Sequence, residues 1–267
     1  MNVMEGVGAA LRMAAETVVM PRFAGLAPAD VEMKAVGEPV TIADREAEAI
    51  IGRALLALVS EARVIGEEAC AAHPALINQL GEGIVWIIDP IDGTANFAVG
   101  RPPFAMMVAL LRNGETIGAW ILDPLADRLA VAERGGGAWI GGERVIASDV
   151  PIGAESLCGI ISEAFAPAAQ RGVVDRLRGA VGTAHPTARC AGHEYPLVAS
   201  GARHFALYWR TLAWDHAPGA LLLTEAGGAA THLDGAPYRP TRPRSGLLLA
   251  HNPLISKALL SVIGDGA

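Results

Sequence analysis

Two aspartates three residues apart, Asp89 and Asp92, follow the apolar run 84–88 in the segment IIDPIDGTANF (87–97). Acidic residues follow apolar stretches at two other places: Glu67 and Glu68 after Arg63-Val64-Ile65, and Asp215 in Ala213-Trp214-Asp215-His216. Carboxylates delivered to strand ends can converge on one edge of a sheet, where they repel strongly unless a cation sits among them. Hard oxygen ligands in that number suit Mg2+, which binds a few carboxylates together with substrate phosphate. In Asp-x-x-Asp across a proline turn, one carboxylate can bridge two ions while the other holds one, with the Ile91 carbonyl available between them. Gly93-Thr94 then opens a new segment, a short helix whose first N–H groups offer an anion site. Metal ions on one side and amides on the other make a phosphate pocket.

Taken singly, each of these residues has an ordinary structural role. A lone Asp-x-x-Asp after a strand is a turn or a helix cap, Glu67 and Glu68 are solvated, and Asp215 and Asp44 cap helices. The combination is what points to metal-assisted chemistry. The glycines at 135–137 and 141–142 are turn residues rather than a phosphate cradle, because neither a Gly-Lys-Ser/Thr sequence nor a helix follows them.

The elements that must position these groups read as follows. Residues 2–20 carry apolar side chains at helical spacing and stop at Pro21; residues 22–40 read as irregular. Thr41 opens a second helix, with Asp44 three residues on in a capping-box arrangement. A strand at 63–65 runs into Gly66-Glu67-Glu68. The run 84–88 is a strand buried on both faces, which Pro90 and Gly93 terminate. Strands follow at 104–111, 116–123 and 128–133, then a hairpin around Ala138-Trp139-Ile140. From about residue 150 the pattern alternates: strand 157–162, helix 167–178, helix 194–201, strand 203–208, helix 216–226 closed by Gly227-Gly228, strand 247–250 and helix 253–263. This predicts an α+β half over 1–150 with a largely antiparallel sheet and an α/β half over 151–267, packed as one unit with the site between them.

The chain has 267 residues, enough for a large core, and is 52% hydrophobic and 18% charged, which excludes a disordered protein. Its net charge of −7 (21 basic against 28 acidic residues) and lack of a basic cluster argue against direct nucleic-acid binding. The three cysteines, Cys70, Cys158 and Cys190, form neither a disulfide framework nor a zinc motif. No signal peptide and no run of about 18 apolar residues is seen, so a cytoplasmic location with no membrane partner is expected.

WIIDPIDGTANF together with WDHAPGALLLTEAGG resembles the inositol monophosphatase family of Mg2+-dependent, lithium-sensitive phosphatases; GEE at 66–68 and VTIAD at 40–44 match in order. The resemblance implies the layered α-β-α-β-α sandwich of the sugar phosphatases, two to three Mg2+ ions, a small phosphorylated metabolite as substrate and a homodimer. It also implies roles. Glu67, Asp89 and the carbonyl of Ile91 would hold a first ion, Asp89, Asp92 and Asp215 a second, and Glu67 with water a weaker third. Thr94 would bind the attacking water, Asp44 would orient Thr94, and the amides of Gly93 and Thr94 would bind phosphate. Lys34 falls near a lysine of the family's mobile N-terminal loop, at loose spacing.

The substrate side departs from that pattern. The family has a Gly-Thr-Ala-type turn where this chain has Gly192-His193-Glu194, and a glutamate that contacts inositol hydroxyls where this chain has Tyr208. Tyrosine cannot accept the two hydroxyl hydrogen bonds that a carboxylate can. His193, Glu194, Tyr208 and Arg210, with Gly192, are therefore the candidate specificity residues. An acidic Glu194 near the pocket would favour a cationic leaving group, which makes histidinol phosphate the first alternative. An alternative of another class is a regulatory protein acting through protein contacts in transcription or RNA metabolism.

Overall fold

The computed structural model describes residues 2–35, 37–148 and 153–264; the boundary expected near residue 150 lies outside the described residues. The N-terminal helix α1 (Val3–Ala14) runs through a π-helical stretch (Ala15–Val19) into a last turn, α2 (Met20–Arg22). Pro21 does not end the helix before it: it sits in the opening positions of that turn, where a missing N–H is tolerated. Residues 22–40 are not wholly irregular. They contain an antiparallel hairpin, β1 (Val31–Ala35) and β2 (Glu38–Thr41). No residue of β1 is buried, so the alternating apolar face that marks a strand in sequence is missing. Thr41 then caps α3 (Ile42–Leu58) as expected.

A seven-stranded sheet takes its strands in chain order: β3 (Arg63–Gly66), β4 (Ile84–Asp92), β5 (Ala105–Arg112), β6 (Glu115–Asp123), β7 (Arg128–Glu133), β8 (Gly137–Ile140) and β9 (Glu143–Val145). The pair β3–β4 is parallel and the others antiparallel. Helix α4 (Glu67–Ala72) follows β3, and α5 (Thr94–Ala98) follows β4. A five-stranded sheet is formed by β10 (Cys158–Ile161), β11 (Thr183–Pro186), β12 (Phe205–Tyr208), β13 (Ala229–His232) and β14 (Leu247–Ala250), in the order β11-β10-β12-β14-β13. The short edge strands β11 and β13 escape the sequence reading, as does a 3-10 stretch over Pro74–Gly81. Helices α6 (Arg171–Ala180), α7 (Ala191–Ala199), α8 (Ala213–Glu225) and α9 (Pro253–Ile263) complete the chain.

The burial pattern stacks these elements in five layers. Side chains of α1 and α3 cover one face of the seven-stranded sheet, around Trp86, Met106 and Trp120. Its other face packs, through Met107, Ile121 and Ala132, on α7 and α8, which also cover Ile160, Ala206 and Leu249 of the five-stranded sheet. Helices α6 and α9 close the far side. This is the α-β-α-β-α sandwich, and α8 is its buried central layer. Among the described residues no helix is long and apolar enough to cross a membrane.

One irregularity organises the site. Strand β4 does not stop at Pro90; it continues to Asp92 across a shift of register, Asp89 opposing Met107 and Asp92 opposing Ala105. Three steps along β4 thus match two along β5, a one-residue bulge. Without it, residues three apart would point to opposite faces. With it, Asp89 and Asp92 share the face of Met107 and Ala105, which is the face covered by α7 and α8.

Candidate active site

Helix α3 positions one end of the site. The Thr41 hydroxyl accepts from the Ala43 amide at 3.2 Å, and Asp44 Oδ2 accepts from the Thr41 amide at 2.8 Å and from its hydroxyl at 2.6 Å. This capping box pins the Asp44 carboxyl, which is fully buried. The other oxygen, Oδ1, lies 3.1 Å from Thr94 Oγ1, whose proton has a second acceptor in the Ile91 carbonyl at 2.8 Å. Burial pushes Asp44 up to about 7, against the lowering effect of Thr41, and the charges of Glu68 and Glu67 add to the rise.

One turn further along α3, Glu48 does a second task that the sequence reading missed. Its carboxylate accepts from the amides of Glu68 at 2.8 Å and Ala69 at 3.0 Å, satisfying two of the unpaired donors at the start of α4. A Cβ at Gly66 would stand 2.1–2.5 Å from that carboxylate. Gly66 is therefore the residue that lets Glu48 dock and fixes the turn from β3 into α4. The i, i+4 spacing of Asp44 and Glu48 was the available signal. Glu67 faces the cavity, and Lys34 Nζ bridges Glu67 at 2.7 Å and Glu68 at 2.6 Å. Glu48→Ala is expected to lower kcat/KM about tenfold and to raise the Mg2+ concentration for half-maximal activity, with Glu48→Gln intermediate; a Mg2+ titration of phosphate release checks this.

The cleft is lined by Glu67, Asp89, Asp92 and Asp215, with Gly93 and Thr94 beside them, and encloses about 950 Å³ including space open to solvent. Asp89, 2% exposed, has an Oδ1 atom that is buried with no hydrogen-bond partner. Burial drives its pKa well above the usual carboxylate range, and the charges of Glu67, Asp92 and Asp215 drive it further. Asp215, in the first turn of α8, is raised by burial, then by Asp92 and Glu67. Asp92 is raised by burial but held by the Gly192 amide, which donates to its Oδ2 at 2.5 Å. Among the described residues no three acidic, imidazole or thiol groups lie within the spacing of a common ion as placed. The donor set nevertheless fits a hard cation: it is all oxygen, mutually repelling, and has an orphaned buried carboxylate oxygen at its centre. Asn96 steadies the segment, its amide donating to the carbonyls of Pro103 at 2.8 Å and Ala188 at 2.9 Å.

The expected specificity residues divide. Tyr208 and Arg210 line the cleft; Gly192 and His193 instead line a second, smaller cavity. Gly192 serves the cleft through its amide on Asp92, and a Cβ there would meet that of Ala105 at 2.7 Å. Glu194 does not present an acid to the pocket. The helix α7 starts at Ala191 rather than 194, which turns Glu194 inward. It is 1% exposed and accepts from Thr187 Oγ1 at 2.9 Å, the Ala188 amide at 2.5 Å and the Tyr208 hydroxyl. Glu194→Ala leaves three donors without their acceptor and is expected to cost about 3 kcal/mol, read by urea denaturation. His216, unremarked in the sequence, lines the same cleft. It lies 3.0 Å from the Tyr195 hydroxyl through Nδ1 and 2.9 Å from the Arg210 carbonyl through Nε2, which places a proton on Nε2. Burial pushes its pKa down to about 4.

The sequence profile described as the inositol monophosphatase family matches residues 2–264. The inositol-1-monophosphatase of Rhizobium meliloti is 34% identical over 249 residues, 87% of this chain and 85% of its own length. The histidinol-phosphatase of Chlorobaculum parvum is 34% identical over 230 residues, 85% of this chain and 84% of its own. Among solved structures, the extragenic suppressor protein suhB of Bartonella henselae superposes with a TM-score of 0.82 at 26% identity, covering 99% of each chain. The chain therefore belongs to the inositol monophosphatase family and is a phosphatase of phosphomonoesters.

Proposed function

We propose that this chain hydrolyses the phosphate ester of a small alcohol in the cleft between β4 and α8, using Mg2+ held by Glu67, Asp89, Asp92, Asp215 and the carbonyl of Ile91. The observation that carries the reading is the buried, unpartnered Oδ1 of Asp89 among carboxylates that raise one another. Bound Mg2+ supplies Lewis-acid neutralisation of phosphoryl charge and lowers the pKa of water. The chain's own groups do the rest. If the Ile91 carbonyl were engaged as a ligand, Asp44 would remain as the acceptor for the Thr94 hydroxyl proton, and the Thr94 oxygen would be free to accept from the attacking water. The amides of Gly93 and Thr94, at the start of α5, bind phosphate oxygens. Displacement is in line, with no covalent enzyme intermediate. We include in this reading the homodimer, checked by light scattering.

A small phosphorylated metabolite is the substrate class this reading supports, and Tyr208 in the cleft lining, where the family carries a glutamate that contacts inositol hydroxyls, argues against myo-inositol phosphate as the preferred one. Histidinol phosphate stays in the comparison because of the Chlorobaculum relative, although Glu194, which suggested a cationic leaving group, is sequestered. A phosphate-release panel with Mg2+ over inositol, histidinol, sugar and nucleotide phosphates tests the proposal. Release from at least one small monoester is expected, and no release from any of them while Mg2+ binds would overturn it.

A further inference from the structure

The wall of the cleft opposite the carboxylates is built by the parallel strands β11, β10 and β12, adjacent in that order. Parallel strands end on one edge, and ligands bind beyond their carboxyl ends. The residues just past those ends are Arg189 after β11, Phe165 after β10 and Arg210 after β12, and all three line the cleft. Arg210 lies over the Phe165 ring at 4.0 Å and pairs with Glu38 of the β1–β2 hairpin. Arg189 reaches the Gly37 carbonyl at 3.4 Å. Gly37 and Glu38 are consecutive, so the two guanidinium groups converge on one turn of the hairpin. Lys34, also at the cleft, is matched by Glu67 and Glu68. The arginine pair has one carboxylate between them: among the described residues Arg210 bonds Glu38, and Arg189 makes no ion pair.

A guanidinium stacked on an aromatic ring keeps its edge free for two parallel hydrogen bonds to a carboxylate or phosphate. Resting on the phosphatase reading above, we propose that Arg189 and Arg210 form a subsite for a second anionic group on the leaving alcohol, and that the Glu38 carboxylate occupies this subsite until substrate displaces it. The preferred substrate is then a phosphate ester that also carries a carboxylate or a second phosphate, opposite in charge to the cationic alcohol that Glu194 suggested.

A matched pair tests this: glycerol 2-phosphate and 2-phosphoglycerate, which differ by one hydroxymethyl group replaced with a carboxylate. With Mg2+ present, kcat/KM is expected to be about tenfold higher for 2-phosphoglycerate. Arg189→Met and Arg210→Met should each lower that ratio about tenfold, and Glu38→Gln should raise it. A ratio at or below one in the unaltered protein overturns the subsite. So do arginine variants that slow both substrates by the same factor, since the arginines would then serve the reacting phosphate. If neither ester is turned over, the phosphatase reading fails separately. Calorimetric binding of the same two esters then decides the subsite: tighter 2-phosphoglycerate, weakened by Arg210→Met, upholds it, and equal affinities overturn it.

Discussion

Asp89→Asn is expected to lower phosphate release at least about a thousandfold while the protein stays folded. The substitution is isosteric and removes one charge from a group of four carboxylates. Asp89 is the member set deepest, and its pKa is raised by burial and then by Glu67, Asp92 and Asp215. With the repulsion reduced, the Mg2+-free variant is expected to melt a few degrees higher than the unaltered protein. On the proposed assignment the same change removes an anionic ligand, so any rise in melting temperature that Mg2+ gives the unaltered protein should shrink or vanish. Thermal melts with and without Mg2+, run beside the activity assay, check all three statements. An active variant with an undiminished Mg2+ response would contradict the assignment of Asp89.

The second large effect separates water orientation from ion binding. Thr94→Val keeps the shape of the side chain and removes the hydroxyl that lies 3.1 Å from Asp44 and 2.8 Å from the Ile91 carbonyl. The expected loss in kcat is about a hundredfold to a thousandfold. Because Thr94 supplies no carboxylate, the Mg2+-induced rise in melting temperature should persist. Thr94→Ser should recover part of the rate, since it restores the oxygen but not the methyl group that limits its rotation. A variant that loses activity and Mg2+ response together would place Thr94 among the ligands instead.

How much of this was legible in the sequence differs from residue to residue. The Thr41–Asp44 cap could be read because capping is local and its spacing is fixed within one turn. The convergence of Asp89 with Asp92 was anticipated, but its cause was not. Pro90 was read as the end of a strand, whereas a bulge carries β4 onward and brings both side chains to one face. Bulges depend on the partner strand, which lies elsewhere in the sequence. Glu48 escaped for the same reason: its partners are amides about twenty residues away, and its i, i+4 spacing from Asp44 was the one local signal. No residue of β1, the strand that carries Lys34, is buried, so that arm of the hairpin leaves no apolar pattern. Glu194 was misjudged because α7 begins three residues earlier than its periodicity indicated, and that shift turns the side chain away from the cleft. Elements with strong apolar patterning, such as β5 to β7 and α9, were found where the pattern put them.

The most direct test of the account is the Mg2+ dependence of phosphate release by protein stripped with EDTA, using inositol 1-phosphate and glycerol 2-phosphate. The account predicts no measurable release from the stripped protein and a saturable recovery as Mg2+ is added back. Hydrolysis that proceeds equally in EDTA and in Mg2+ would contradict it.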